Sequence, residues 1–193
     1  MGKKTRIDEA ARTLFLEYGF EDTSVNAIVA KADVAKGTFY TYYKDKEEII
    51  TKTIMREHSS VIETNLKLSK QYCEETGIPW CQAFIEQTIS YFGEHPDLCK
   101  LLDHGARARL MMKDVVVDTM CESIPLLNEF YDHLRQKHEE DRDVRNRFLL
   151  LSQMLGFTCY QSYVLHKPDD IDHVKPLLME AAMGLCRGGC IHV

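Results

Sequence analysis

Almost nothing in this 193-residue chain reads as strand, and no internal repeat or low-complexity tract breaks it. Sheet-built folds are thereby set aside in favour of an all-α chain. There is no phosphate-cradling glycine loop, no zinc-ligand spacing and no nucleophile paired with a base at a recognisable interval. An enzyme is therefore not expected, and neither is a cofactor or a metal. Positive charge is in deficit: 24 Lys and Arg face 30 Asp and Glu, a formal net charge of −6, so the chain does not coat nucleic acid along its whole length. An apolar leader is missing, and the seven cysteines fit no disulfide framework. Together these predict free thiols in a reducing cytoplasm. The longest stretch without formal charge, residues 148–165, carries Ser152, Gln153, Thr158, Gln161 and Ser162, too many polar groups for hydrocarbon, so it reads as a helix buried between helices and not as a membrane span.

The charge that is present is unevenly placed. Residues 1–46 hold eight basic against seven acidic side chains, while the remainder is strongly acidic. A near-neutral, locally basic head on an acidic body implies that only the head meets an anion. The head divides into three helices. Ile7, Ala10, Ala11, Leu14, Phe15 and Tyr18 form one helical face that stops at Gly19. Thr23 or Ser24 caps a short helix from Val25 to about Ala32. A tight turn at Asp33 leads to a third helix from Ala35 to Tyr42. Asp45 and Glu48 resemble a capping box opening a long helix through Ile49, Ile50, Ile54, Val61 and Leu68, which ends near Gly77. Further helices are predicted at about 79–93, 96–112, 114–138, 142–166 and 171–187, with a solvated hinge at 135–147.

Three helices in about forty residues, the last two short and joined by a tight turn, make a helix-turn-helix whose third helix enters a major groove. On that helix Phe39 shares a side with Val34 and Tyr43 and points inward, leaving Lys36, Thr38, Tyr40 and Thr41 outward. Gly37 lets the backbone approach a partner. Lys44 and Lys46 flank a helix start that already favours an anion. The run Lys36-Gly37-Thr38-Phe39-Tyr40 followed by Tyr42-Tyr43-Lys44-Asp45-Lys46-Glu47-Glu48 resembles the DNA-binding domain of the TetR family of bacterial transcriptional regulators, over about residues 5–52. The resemblance implies DNA contacts from Thr23, Ser24, Lys36, Gly37, Thr38, Tyr40, Thr41, Tyr42, Lys44 and Lys46, with Phe39 and Tyr43 holding the small core. Two departures stand out. Asp33 occupies a turn position where the family often has glycine, and Tyr43 replaces a common phenylalanine, so its hydroxyl needs a partner.

The expected organisation is a helix-turn-helix domain at 1–46 and a helical effector-binding and dimerisation domain at 47–193, about nine helices in all. The uncharged helix and the one after it, with Gly156, Ala181, Ala182 and Gly184 permitting close approach, are the expected homodimer face. Trp80, Phe84, Tyr91, His104, Arg107, Met111, Met154, Phe157 and Tyr160 are the candidates for an effector pocket. The expected activity is a repressor on a palindromic double-stranded operator, released by a small molecule. Alternatives are thiol- or metal-based sensing through Cys186, Cys190 and His192, or a helical interaction module without a ligand.

Overall fold

The computed structural model describes residues 2–102 and 122–187, and every regular element among them is helical. In chain order the helices are α1 (Lys3–Asp22), α2 (Val25–Lys31), α3 (Lys36–Tyr42), α4 (Lys46–Thr76), α5 (Trp80–Glu94), α6 (Pro96–Leu101), α7 (Pro125–Leu134), α8 (Asp141–Val164) and α9 (Ile171–Arg187). The expected all-α architecture is therefore present, with nine helices among the described residues.

Local chemistry sets most of the boundaries. Gly19, at φ 81°, breaks the helical path of α1, and Phe20 folds back so that its ring meets Phe15 at 5.0 Å. Tyr18 is 56% exposed and so does not belong to the buried face expected for it. Ser24 Oγ accepts from the Ala27 amide at 3.1 Å and caps α2. At the other end of α2, Asp33 adopts φ 51°. The Val34 amide then reaches the Val29 carbonyl at 3.1 Å, and the Asp33 amide reaches the Ala30 carbonyl at 3.2 Å. This is a Schellman closure with aspartate where glycine is usual. Asp45 Oδ1 accepts from the Glu48 amide at 2.8 Å, and the Glu48 carboxylate accepts from the Lys44 amide at 2.8 Å, one residue earlier than in a standard capping box. Gly77, at φ 74°, ends α4 by donating to the Cys73 carbonyl.

Helix α4 is the spine. It packs against α1, α5 and α7, while α8 packs on α5, α6, α7 and α9, and α1 also touches α6. The buried row on α4 runs through Ile49, Ile50, Ile54, Val61, Ile62 and Leu66. Leu68, expected in that row, is 41% exposed, because the α-helical period carries the stripe to Leu66. Residues 135–140 are the largely exposed link between α7 and α8 that the charges suggested, whereas 141–147 already belong to α8. Arg147 sits within α8 and is largely buried; its guanidinium holds Glu139 (Nε to Oε1 2.7 Å), the Leu134 carbonyl (2.7 Å) and the Leu185 carbonyl (2.6 Å). It ties the end of α7 and the end of α9 to α8. The free-thiol expectation also fails at one place: Cys81 at the start of α5 and Cys186 at the end of α9 are disulfide-bonded, with Cα atoms 6.3 Å apart. The helices bring together two residues separated by 105 positions, which no sequence spacing reveals. Cys73, Cys99 and Cys159 form no disulfide among the described residues. No helix among the described residues is long and apolar enough to cross a membrane, and none of their His, Cys, Asp and Glu side chains cluster as a metal site.

Candidate nucleic-acid interface

The core beneath α3 orients its outer face. Phe39 and Tyr43 are fully buried, with ring centroids 5.6 Å apart. The Tyr43 hydroxyl donates to the Asp8 carboxylate on α1, which also meets Lys4 Nζ at 2.8 Å and Arg56 Nη1 at 3.3 Å. Burial, then the bond to Asp8, pushes the Tyr43 phenol up, so it remains a donor at neutral pH. The same carboxylate raises Lys4 and keeps it charged. The hydroxyl that sequence reasoning left in search of a partner thus finds a cluster joining α1, α3 and α4.

With Phe39 and Tyr43 inward, Lys36, Gly37, Tyr40, Thr41 and Tyr42 are exposed and Thr38 is half-buried. Tyr40 is 51% and Tyr42 37% exposed, large aromatic areas on a seven-residue helix. Gly37 is informative because nothing inside the chain requires it: its backbone angle is ordinary, and a Cβ there would meet no atom within 4 Å. Lys44 is exposed next to the start of α4. Lys46 is half-buried and donates to the Glu21 carbonyl at 3.0 Å, bridging the end of α1 to the start of α4. Ser24 is exposed at the N-terminus of α2. Thr23 is not at the surface: it is 2% exposed, and its hydroxyl donates to the Gly19 carbonyl at 2.7 Å. The sequence left the cap open between the two; the structure gives it to Ser24 and uses Thr23 to fasten the chain end of α1.

The effector candidates scatter. Between α4, α5 and α8 lies a small cavity of about 20 Å³, and of the described candidates only Phe84 lines it. Trp80 is buried elsewhere, donating to Ser69 Oγ at 3.0 Å and packing on Phe130. Tyr91 stacks against His95 at 4.4 Å. Met154 and Tyr160 pack at the edge of the core, and Phe157 is 51% exposed on α8. His104, Arg107 and Met111 lie outside the described residues, as do Cys190 and His192. Cys186, bonded to Cys81, is withdrawn from the metal set proposed with them. Sequence reasoning missed Asn65 and Thr88, two polar side chains on the cavity wall. The signal available was a polar residue at position 65 in the apolar register of α4, four places after Val61.

Two short helices meeting at a tight turn, the second with its polar and aromatic face exposed and its apolar face packed on α1 and α2, define a helix-turn-helix DNA-binding protein. Residues 7–52 match the bacterial regulatory proteins of the tetR family. The HTH-type transcriptional regulator SAB2452 of Staphylococcus aureus is 32% identical over 178 residues, covering 91% of this chain and 90% of that protein. The chain belongs to the TetR family of transcriptional regulators, and it is not an enzyme. The uncharacterized HTH-type regulator YhgD of Bacillus subtilis is 34% identical over 77 residues, which is 40% of this chain and only 36% of that protein. The same fold occurs in the crystal structure of a TetR-family regulator from Streptomyces coelicolor, with TM-score 0.62, 19% identity and coverage of 95% of this chain and 97% of that one.

Proposed function

We propose that two copies of this chain bind a palindromic operator as a cytoplasmic repressor and leave it when a small molecule enters the helical body. Residues 1–46 form the reading head and 47–193 the dimerising, sensing body. The observation that carries the reading is Gly37: a helix residue with no internal reason to be glycine, set among exposed Lys36, Tyr40, Thr41 and Tyr42. A groove-facing backbone supplies the missing reason. Lys36, Lys44 and Lys46 offer phosphate contacts, and Ser24 presents a helix N-terminus to another.

A single head makes few such contacts, so its binding is weak and salt-sensitive. Exposed Leu150 and Phe157, seven apart on α8, and Leu177, Ala181 and Gly184 on α9 support a dimer face of two helices per chain. Such a dimer sets two heads about 34–36 Å apart on one face of the duplex. Coupling runs through α4, which carries cavity residues Val61, Ile62 and Asn65 and also Arg56 and Glu57, the residues that hold α1. A ligand that favours one placement of α4 shifts the population of head spacings.

Selection of bound duplexes from a random pool tests the reading. A palindrome with half-sites about one turn apart, and affinity that falls steeply with salt, is the expected result. Indifference to every duplex at low salt rejects it and leaves a helical interaction module.

A further inference from the structure

Helix α9 is lightly seated in its own chain. Of its residues only Leu178 and Ala182 are buried, and Leu177 is 69% exposed. Its last turn is fastened instead. Arg147 Nη1 donates to the Leu185 carbonyl at 2.6 Å and to the Cys186 carbonyl at 3.4 Å. Gln136 Nε2 donates to the Arg187 carbonyl, and Cys186 is bonded to Cys81 on α5. The disulfide is the covalent member of this set, and it bridges a separation of 105 residues. Its two sulfurs have unlike surroundings. Cys81 is 4% exposed in the first turn of the 15-residue α5, whereas Cys186 is half-buried at the C-terminal end of α9. Disulfides of proteins that work in a reducing cytoplasm are characteristically transient, made and broken with the redox state.

We infer that Cys81 and Cys186 form a reversible dithiol–disulfide site for low-molecular-weight thiols and disulfides, and that closing it strengthens the dimer. The inference deepens the regulator reading and rests on its assignment of α9 to the dimer face. Reduction begins at Cys186, the residue more open to solvent. An incoming thiolate bonds to Cys186 Sγ, the protein S–S bond breaks, and Cys81 leaves as a thiolate that then takes a proton. The free amides and the dipole of the first turn of α5 favour that departing anion. A second small thiolate attacks the mixed disulfide and frees Cys186. Two small thiols are oxidised to one disulfide while the protein disulfide is reduced to two thiols. Oxidation runs the same steps backwards: Cys186 forms the mixed disulfide with a small disulfide, and Cys81 displaces the remaining small thiol from it. The link bears on the dimer because α9 carries Leu177, Ala181 and Gly184. Tied to α5, that face is held in one placement before the chains meet, so less ordering remains for association. Untied, the last turn keeps its bonds to Gln136 and Arg147 but loses its covalent stop.

The test equilibrates the full-length protein, without DNA, in buffers that run from reduced to oxidised glutathione. Alkylation and peptide mapping follow the two thiols, and sedimentation equilibrium gives the dimer dissociation constant. Cys81 and Cys186 should lose their thiols together, and the oxidised dimer should be about tenfold tighter, the size of one or two interface side chains ordered in advance. Cys186→Ser and Cys81→Ser should each hold the reduced-state constant in every buffer. The first replaces a half-buried residue, which keeps the test open should the second fail to fold. Cys190→Ser should keep the full response. A pair that stays bonded in reduced glutathione, a pair that never forms, a response lost in Cys190→Ser, or a dimer indifferent to the buffer would each overturn the inference alone. A monomer in every buffer overturns it together with the dimer reading. Because the readout contains no DNA, a failed operator selection leaves it standing.

Discussion

Arg12 Nε on α1 donates to Glu57 Oε1 on α4 at 2.9 Å, one residue before His58 on the cavity wall. The bond joins the first helix of the DNA-reading head to the spine of the body. Glu57 is 7% exposed, and its other cation, Arg56, stands 3.8 Å away while also serving Asp8. Arg12→Ala leaves the carboxylate buried with one distant partner. The expected loss is about 1–3 kcal/mol in urea unfolding. The same variant should blunt ligand-driven release from the operator more than it weakens operator binding. Equal release in variant and wild type rules out this joint as the route of coupling.

Gly37→Ala separates fold from function. Alanine is the better helix former by about 0.5–1 kcal/mol, and here it meets no neighbour. Thermal unfolding should therefore rise or stay level while operator affinity falls by about tenfold or more. A stable variant with unchanged affinity means the backbone at position 37 does not approach the duplex.

Leu177→Glu addresses the dimer. Leu177 is 69% exposed, so a lone chain tolerates the charge within about 0.5 kcal/mol. A charge placed within an apolar interface costs several times that. Light scattering should show monomers at concentrations where the wild type is dimeric, with circular dichroism unaltered. A variant that remains dimeric puts the interface elsewhere.

Acid sensitivity should reside partly in Glu139. The bonded guanidinium of Arg147 holds this carboxylate below its ordinary value of 4.5, against an opposing effect of burial. A depressed folded-state pKa adds stability that is present above the unfolded value and lost as pH falls through the folded one. Glu139→Gln should therefore lie about 1–3 kcal/mol below wild type at pH 7. The gap should close as pH drops below about 4.5. A gap independent of pH between 3 and 7, roughly the range where carboxylates titrate, would deny the ion pair this role.

The Cys81–Cys186 link predicts a thiol count. Of seven cysteines, the denatured, unreduced protein should show two fewer reactive thiols than the reduced one. Cys81→Ser should abolish the difference and, under oxidising conditions, lower stability by up to about 5 kcal/mol, the entropic value of closing a loop of this length. Equal counts with and without reductant mean the two sulfurs are unlinked in solution.

The all-α character, the tight turn at Asp33, the capping of α4 and the inward placement of Phe39 and Tyr43 were legible in the sequence. Each depends on residues within a few places of one another, where spacing alone dictates which side chains share a face. What lay beyond it was every relationship between distant helices. Tyr43 finds Asp8 and Arg12 finds Glu57 only once α1 lies on α4; Cys81 meets Cys186 only once α9 lies on α5; Arg147 becomes a buried tie only between the ends of α7 and α9. The effector candidates show the limit most clearly. Aromatic content pointed to Trp80 and Phe157, one of which is core and the other surface, whereas Asn65 and Thr88 come together only because two helices turn them toward one small cavity. Local periodicity decides which face of a helix is apolar; packing alone decides what that face is pressed against.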